Sequence, residues 1–358
     1  MQKKRIDQLL AGYADGDAIS RMAVCLRGIF RDGGHPAEIY ADMRCVSPSL
    51  RADCRPLAEY RGAPEDICLH HYGIASPAAE VFLASPAARI LVYHNITPAD
   101  YFDGYDDDLR ARLAAARARL PATARGAAAV WTVSRFNAAE LAALGIANVR
   151  VLPLIFDPTP LDAAPEPLLM RKFSGPRDRL KNILFVGRIV PNKRVEDLIQ
   201  AFAWYHKALN PFSRLLIVGS NRSAPRYCTM LRMLAGDLDL PNVCFEGFAA
   251  AAGLAAYYRV AHLYVCPSAH EGYCLPLLEA MHADVPALAR RAGGMPEALD
   301  GAGVLYEDLA APELAALMHR VLTDEPLRQT VLAAQRARMR REAARDLAAE
   351  VRQLLDAL

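Results

Sequence analysis

The sequence predicts an α/β protein of two doubly wound, Rossmann-like domains facing across a cleft, on three observations. Short apolar runs alternate with helix-length segments along the chain, as βαβ units on parallel sheets require. A stretch near the middle, "FDPTPLDAAPEPLLMRKFSGP", breaks the alternation with Pro158, Pro160, Pro165, Pro167 and Pro176, none of which can continue a helix or a central strand. The 358 residues leave each half about the size of one such domain.

Composition narrows the class before any motif does. With 53% hydrophobic and 23% charged residues the chain can bury real cores, which excludes disordered and fibrous classes. Its 42 basic residues are balanced by 40 acidic ones, so the net charge of +2 gives no global attraction to nucleic acid, and none is expected as a partner. The start, "MQKKRIDQLL", carries cations without an apolar run or a small-residue cleavage site behind them, and no uncharged apolar stretch of about 18 residues follows. A cytoplasmic protein without a membrane span is expected. The eight cysteines (Cys25, Cys45, Cys54, Cys68, Cys228, Cys244, Cys266 and Cys274) form no Cys-x-x-Cys, and they are expected to be reduced and mostly buried.

In chain order, the expected strands of the first half lie in "EDICLHHYG", "ARILVYHN", "AAVWTVS" and "NVRVLPL"; those of the second lie in "NILFVGR", "RLLIVGS", "NVCFEGF", "HLYVCPS" and "VPALARR". This places an amino-terminal domain at residues 1–160, a hinge at 161–180 and a carboxyl-terminal domain at 181–335. Residues 336–358 are expected to form a terminal helix packing back toward the amino-terminal domain. That tail is rich in arginine, which reads first as a solvated helical face and second as a surface able to touch an anionic bilayer.

Chemistry concentrates in "HEGYCLPLLEAM", where Glu271 and Glu279 stand eight positions apart around a turn. Ligands of open parallel sheets bind beyond the carboxyl ends of the strands, where helix N-termini present free N–H groups. Pro276 suits a first helical turn, so the backbone of Tyr273, Cys274 and Leu275 is expected to face a phosphate. Glu279, expected in that first turn, could accept from a ribose diol, and Glu271 from a second group. An isolated pair of this kind is more often a cap and a solvated carboxylate. It is not isolated: "ILFVGRIVPNKRVEDLIQAF" ends a strand at Gly187 and supplies Arg188 and Lys193 before an amphipathic helix, a pattern suited to a diphosphate.

Taken together, Gly187-Arg188, Lys193, Gly219 in "LLIVGS", Glu271 through Met281, and Gly293, Gly294, Pro296 and Glu297 in "AGGMPEAL" resemble the retaining glycosyltransferases of family 4, which have the GT-B fold. The likeness is strong over residues 180–310. In the first half "VWTVSRFNAAELAALGIANVRVLPL" resembles the family's last amino-domain strand and helix, with Ser134 after the strand. "YADGDAISRMAVCLRGIF" resembles its first strand, loop and helix, with Gly16 approaching the diphosphate, and His94 stands where the family often has a histidine reaching the donor sugar; His70 and His71 are alternatives. The chain departs from the pattern at Arg194, where a glycine is usual after Lys193, and at "LPLIFD", where a Pro-Asn-Gly turn is usual.

The resemblance implies a retaining transferase that moves a sugar from a nucleotide-sugar, GDP-mannose first and a UDP-sugar second, to a growing cell-surface polysaccharide or lipid-linked glycan. It would work at the cytoplasmic membrane face. Arg188 and Lys193 would stabilise the leaving diphosphate, Glu271 hold the sugar, Glu279 the ribose, and His94 lie near the sugar or acceptor. No cofactor or metal is implied; the competing Asp-x-Asp reading would use Asp15 and Asp17, Asp106 and Asp108, or Asp237 and Asp239. A nucleotide-sugar epimerase and a non-catalytic partner protein of the same fold are the alternatives, the second disfavoured because Arg188, Lys193 and both glutamates are present. Removing Lys193 is expected to leave stability almost unchanged.

Overall fold

In the computed structural model the described residues are 3–175 and 179–358. The basic, polar-looking start of the chain is a strand, Ile6–Leu10 (β1), with every residue buried. Residues 13–30, expected to hold this strand with its loop and helix, hold the loop and most of the helix Ala18–Asp32. That helix buries Met22, Leu26 and Phe30 at fourfold spacing, one stripe against the sheet.

The strands Ile39–Ala41 (β2), Arg55–Pro56 (β3), Ile67–Tyr72 (β4), Ala88–Tyr93 (β5), Ala129–Thr132 (β6) and Val149–Val151 (β7) join β1 in a seven-stranded sheet of order β3-β2-β1-β4-β5-β6-β7, parallel at every pairing. A second sheet holds Lys181–Val186 (β8), Ser213–Val218 (β9), Val243–Gly247 (β10), Leu263–Cys266 (β11), Ala287–Arg290 (β12) and Val304–Tyr306 (β13) in the order β10-β9-β8-β11-β12-β13, also all parallel. Both orders are the doubly wound one in which the chain reverses direction across the sheet after its third strand. Helices cover both faces of such sheets, so central strands become continuous apolar runs: Ile183, Leu184 and Phe185 in β8 and Leu263, Tyr264 and Val265 in β11 are all buried. The fold class read from the sequence, two Rossmann-like α/β units of the GT-B kind, is the one observed.

The chain divides into two compact units. One comprises the chain up to Asp100, Asp108–Ile155 and Arg345–Leu358; the other comprises Tyr101–Asp107 and Phe156–Ala344. Residues 336–358 contain the end of the helix Glu325–Ala343, which belongs to the second unit, and a separate helix Leu347–Asp356, which packs on Ala18–Asp32 in the first. The proline-rich stretch carries two short helices, Thr159–Asp162 and Pro167–Ser174, each with a proline in its first turn, where the missing N–H costs nothing. Pro176 lies outside the described residues. No helix among the described residues is long and apolar enough to cross a membrane.

Candidate functional site

In the second unit the sheet reverses between β8 and β11, and the loops leaving these two strands carry the charged residues singled out in the sequence. After β8 the chain passes Gly187 and Arg188, makes a 3₁₀ turn at Pro191–Lys193, and enters the helix Val195–Trp204 through Arg194. Arg194 adopts φ 52°, ψ 42°, the left-handed conformation glycine takes without strain, and its guanidinium is tied to Asp197 at 2.8 Å and to Glu196 at 3.1 Å. After β11 the loop carries Ser268 and Glu271, and Cys274 at φ 85° turns the chain into the helix Leu275–His282. Asn192 joins the two loops: its carbonyl accepts from the Ala269 N–H at 2.9 Å, and its amide donates to the His270 carbonyl at 3.0 Å.

Lys193 and Glu271 meet as an ion pair, and the Ser268 hydroxyl donates to the same carboxylate oxygen at 2.9 Å. Their side chains are 14% and 12% exposed, so each depends on the other for much of its solvation. This pairing argues against the expectation that loss of Lys193 would spare stability. Arg188 is exposed and has no ion-pair partner among the described residues. Glu279 is the fifth residue of its helix, in the second turn instead of the first, because the helix already begins at Leu275. It is 2% exposed and accepts from the Tyr258 hydroxyl at 2.9 Å. The N–H groups of Cys274 and Leu275 have no acceptor among the described residues, whereas the Tyr273 side chain is buried. The helix after Lys193 is differently placed to take an anion: its Val195 N–H is bonded to the Tyr227 hydroxyl at 2.9 Å, and Glu196 and Asp197 fill its first turn.

Two buried thiols lie beneath this loop. Cys266 and Cys274 approach to 3.7 Å between sulfurs; the hydrogen bond between them pulls the Cys266 thiol below its usual range and raises that of Cys274, which burial raises further. With Glu271 they are the group of possible metal ligands found among the described residues, and its carboxylate is already engaged by Lys193 and Ser268. None of the three Asp-x-Asp pairs belongs to that group; Asp17 caps the helix Ala18–Asp32 by accepting from the Ser20 N–H.

In the first unit Gly16 turns with φ 72° just before that helix. The three candidate histidines, His70, His71 and His94, are gathered at the carboxyl ends of β4 and β5. His71 Nδ1 lies 2.8 Å from His94 Nε2, with the rings stacked at 5.0 Å, and His71 Nε2 lies 2.9 Å from Gln8 Oε1. His70 instead donates to the Leu9 carbonyl at 3.0 Å and packs against Tyr72 and Phe82, a core placement. Ser134 caps the helix Arg135–Ala143. Burial holds all three imidazoles neutral: His70 falls to about 4, His94 to about 3, and His71 well below its ordinary value.

Because these folded values lie below the unfolded one near 6.5, the stability compatible with neutral histidine is complete above about pH 6.5 and is lost as pH falls below it. For His70 the loss is about 2 kcal/mol between pH 7 and pH 5. Urea unfolding at the two pH values should show wild type losing about 2 kcal/mol more than His70→Phe; equal losses would contradict a buried neutral His70.

Sequence reasoning missed Gln8, Ser268 and Tyr258, which bond to His71, Glu271 and Glu279, and Asn192, which ties the loop of Lys193 to that of Glu271. Only Asn192 and Ser268 carried a signal, by standing within the "PNK" and "CPS" strand-end turns.

Residues 169–345 match the family model described as glycosyl transferases group 1. Among curated relatives, the serotype-specific mannosyltransferase WbdA of Escherichia coli is 30% identical over 145 residues, which is 40% of this chain and 18% of that protein. The D-inositol 3-phosphate glycosyltransferase of Kineococcus radiotolerans is 32% identical over 208 residues, 54% of this chain and 47% of that one. The matches therefore span about half or less of these relatives. Among solved structures, sucrose-phosphate synthase from Thermosynechococcus elongatus aligns over 99% of both chains with a TM-score of 0.76 at 19% identity. Anabaena HepE in complex with UDP and glucose aligns over 99% of this chain and 100% of that one, with a TM-score of 0.72 at 20% identity.

Proposed function

We propose, from the group 1 glycosyl transferase domain at residues 169–345, that this chain transfers a sugar from a nucleotide-sugar to a hydroxyl of a growing surface polysaccharide or lipid-linked glycan, with retention of anomeric configuration. The observation that carries the reading is the Lys193–Glu271 pair at the reversal of the second sheet, where a doubly wound fold binds its ligand. Lys193, Arg188 and the N–H groups of Cys274 and Leu275 take the diphosphate. Glu271 holds sugar hydroxyls, Glu279 the ribose, and His94 a sugar or acceptor hydroxyl. Charge grows on the diphosphate as the glycosidic bond breaks, and fixed cations and backbone dipoles stabilise that charge. These groups supply the positive charge a metal would bring, so the reaction is proposed to be metal-independent.

GDP-mannose is the donor favoured, supported by the likeness to WbdA, with a UDP-sugar second. The reading places the protein in the cytoplasm, working at the inner membrane face without spanning it, and with no nucleic-acid partner. A thermal-shift and turnover series in EDTA tests it. GDP-mannose at about 100 times its dissociation constant should add roughly 2.7 kcal/mol of stability, and a lipid-linked glycan should receive mannose without added metal. UDP binding without GDP binding would reverse the donor, activity recovered only with Mg²⁺ or Mn²⁺ would end metal independence, and no response to any nucleotide-sugar would overturn the whole reading.

A further inference from the structure

Gln8 is fully buried in the middle of β1, a position that an apolar residue would fill at no polar cost. Its amide nitrogen lies 2.9 Å from the Ala23 carbonyl, which can only accept, so the NH₂ end must face Ala23 and the oxygen must face His71. An amide oxygen also only accepts; His71 Nε2, 2.9 Å away, therefore carries a proton. Burial keeps that ring neutral, which leaves Nδ1 as a lone pair. The His94 Nε2 atom, 2.8 Å from that lone pair, must then be the N–H. By the same count His94 Nδ1 bears a lone pair, and it is a buried atom with no hydrogen-bond partner among the described residues.

We propose that Gln8 is a positioning residue which, through His71, fixes the tautomer of His94 so that its Nδ1 is presented as a bare acceptor for a hydroxyl of the sugar or acceptor. This rests on the placement of His94 at the ligand in the proposed function. Every hydrogen bond in the chain donates inward, from His94 to His71 to Gln8 to the Ala23 carbonyl, and that carbonyl sets the sense of them all because it can only accept. A leucine at position 8 would fill the strand equally well but would leave His71 free to exchange its proton between nitrogens. Glutamic acid, buried against the Ala23 carbonyl, would take up its proton, donate to that carbonyl and accept from His71, restoring the pattern.

Nitrogen-15 NMR of histidine-labelled protein, assigned with His94→Gln, reads the tautomers directly. In wild type, His94 Nδ1 and His71 Nδ1 should show the signals of unprotonated nitrogens and both Nε2 atoms those of protonated ones. Gln8→Leu should give mixed tautomers and a kcat/KM roughly tenfold lower, the scale of one buried hydrogen bond, and Gln8→Glu should recover both. A protonated His94 Nδ1 in wild type overturns the proposal whether or not Gln8→Leu folds. A folded Gln8→Leu with unchanged tautomers, or with altered tautomers and unchanged kcat/KM, overturns it as well. If wild type has the stated tautomers but transfers no sugar, the proposed function fails while the histidine order stands.

Discussion

Lys193→Ala is expected to lower kcat by about 10²- to 10³-fold, the scale of losing one preorganised charge at a developing anion. The ammonium is carried by a loop whose backbone is tied to the next loop through Asn192, so the base from which it reaches the diphosphate is fixed in advance. Arg188→Ala should lose a comparable factor, and the double variant should lose less than the product, because both cations act on one leaving group. The two differ in stability. Lys193→Ala strands Glu271, 12% exposed, with the Ser268 hydroxyl as the remaining partner of its carboxylate among the described residues, at a loss of about 1–3 kcal/mol. Arg188 is exposed, and its loss should leave the unfolding midpoint where it is. Steady-state kinetics at saturating donor alongside urea unfolding separate the two effects. A Lys193→Ala protein that turns over normally once folded would reduce Lys193 to a structural partner of Glu271 and withdraw the diphosphate site.

Gly219→Ala is expected to destabilise the second unit by about 4 kcal/mol or more, the range reached when backbone must move. Gly219 follows β9 with φ 151°, where a side chain is strained, and a Cβ there would lie 1.8 Å from the Gly187 carbonyl oxygen. That obstacle is backbone, held by the hydrogen bond from the Gly187 N–H to Val218 at 3.0 Å. The substitution cannot be relieved by a rotamer change; the loop bearing Arg188 and Lys193 must shift instead. Calorimetry and donor titration should show an early unfolding transition together with weakened binding. An Ala variant with wild-type midpoint and affinity would mean that the two strand ends do not approach so closely.

How much of this was legible in the sequence depended on whether a residue's role is local. The strands β8, β9 and β11 announce themselves because both faces are covered and their central residues, Ile183 to Phe185, Leu215 to Ile217 and Leu263 to Val265, are apolar and buried. Glu271, Lys193 and Gly219 were found because each stands in the segment that follows a strand, a pattern that is local in sequence. β1 was missed because Asp7 and Gln8 interrupt its apolar run, and both are buried for reasons that lie elsewhere: Asp7 pairs with Arg5, and Gln8 reaches His71 and Ala23. The second-turn position of Glu279 was misjudged because Pro276 marks the first turn of a helix without saying which residue begins it. The partnership of Lys193 with Glu271 joins residues 78 positions apart, which no spacing rule reveals.

On the proposed function, that partnership makes the two ends of a donor molecule interdependent. Lys193 and Glu271 neutralise each other when nothing else is present, so a diphosphate that draws the ammonium away leaves a carboxylate in need of a new donor, and the sugar hydroxyls supply it. A nucleoside diphosphate without its sugar takes the lysine and offers Glu271 nothing. On the proposed chemistry, the intact substrate therefore satisfies both charges at once while the spent nucleotide satisfies one, a thermodynamic bias toward releasing the product that needs no moving part beyond two side chains.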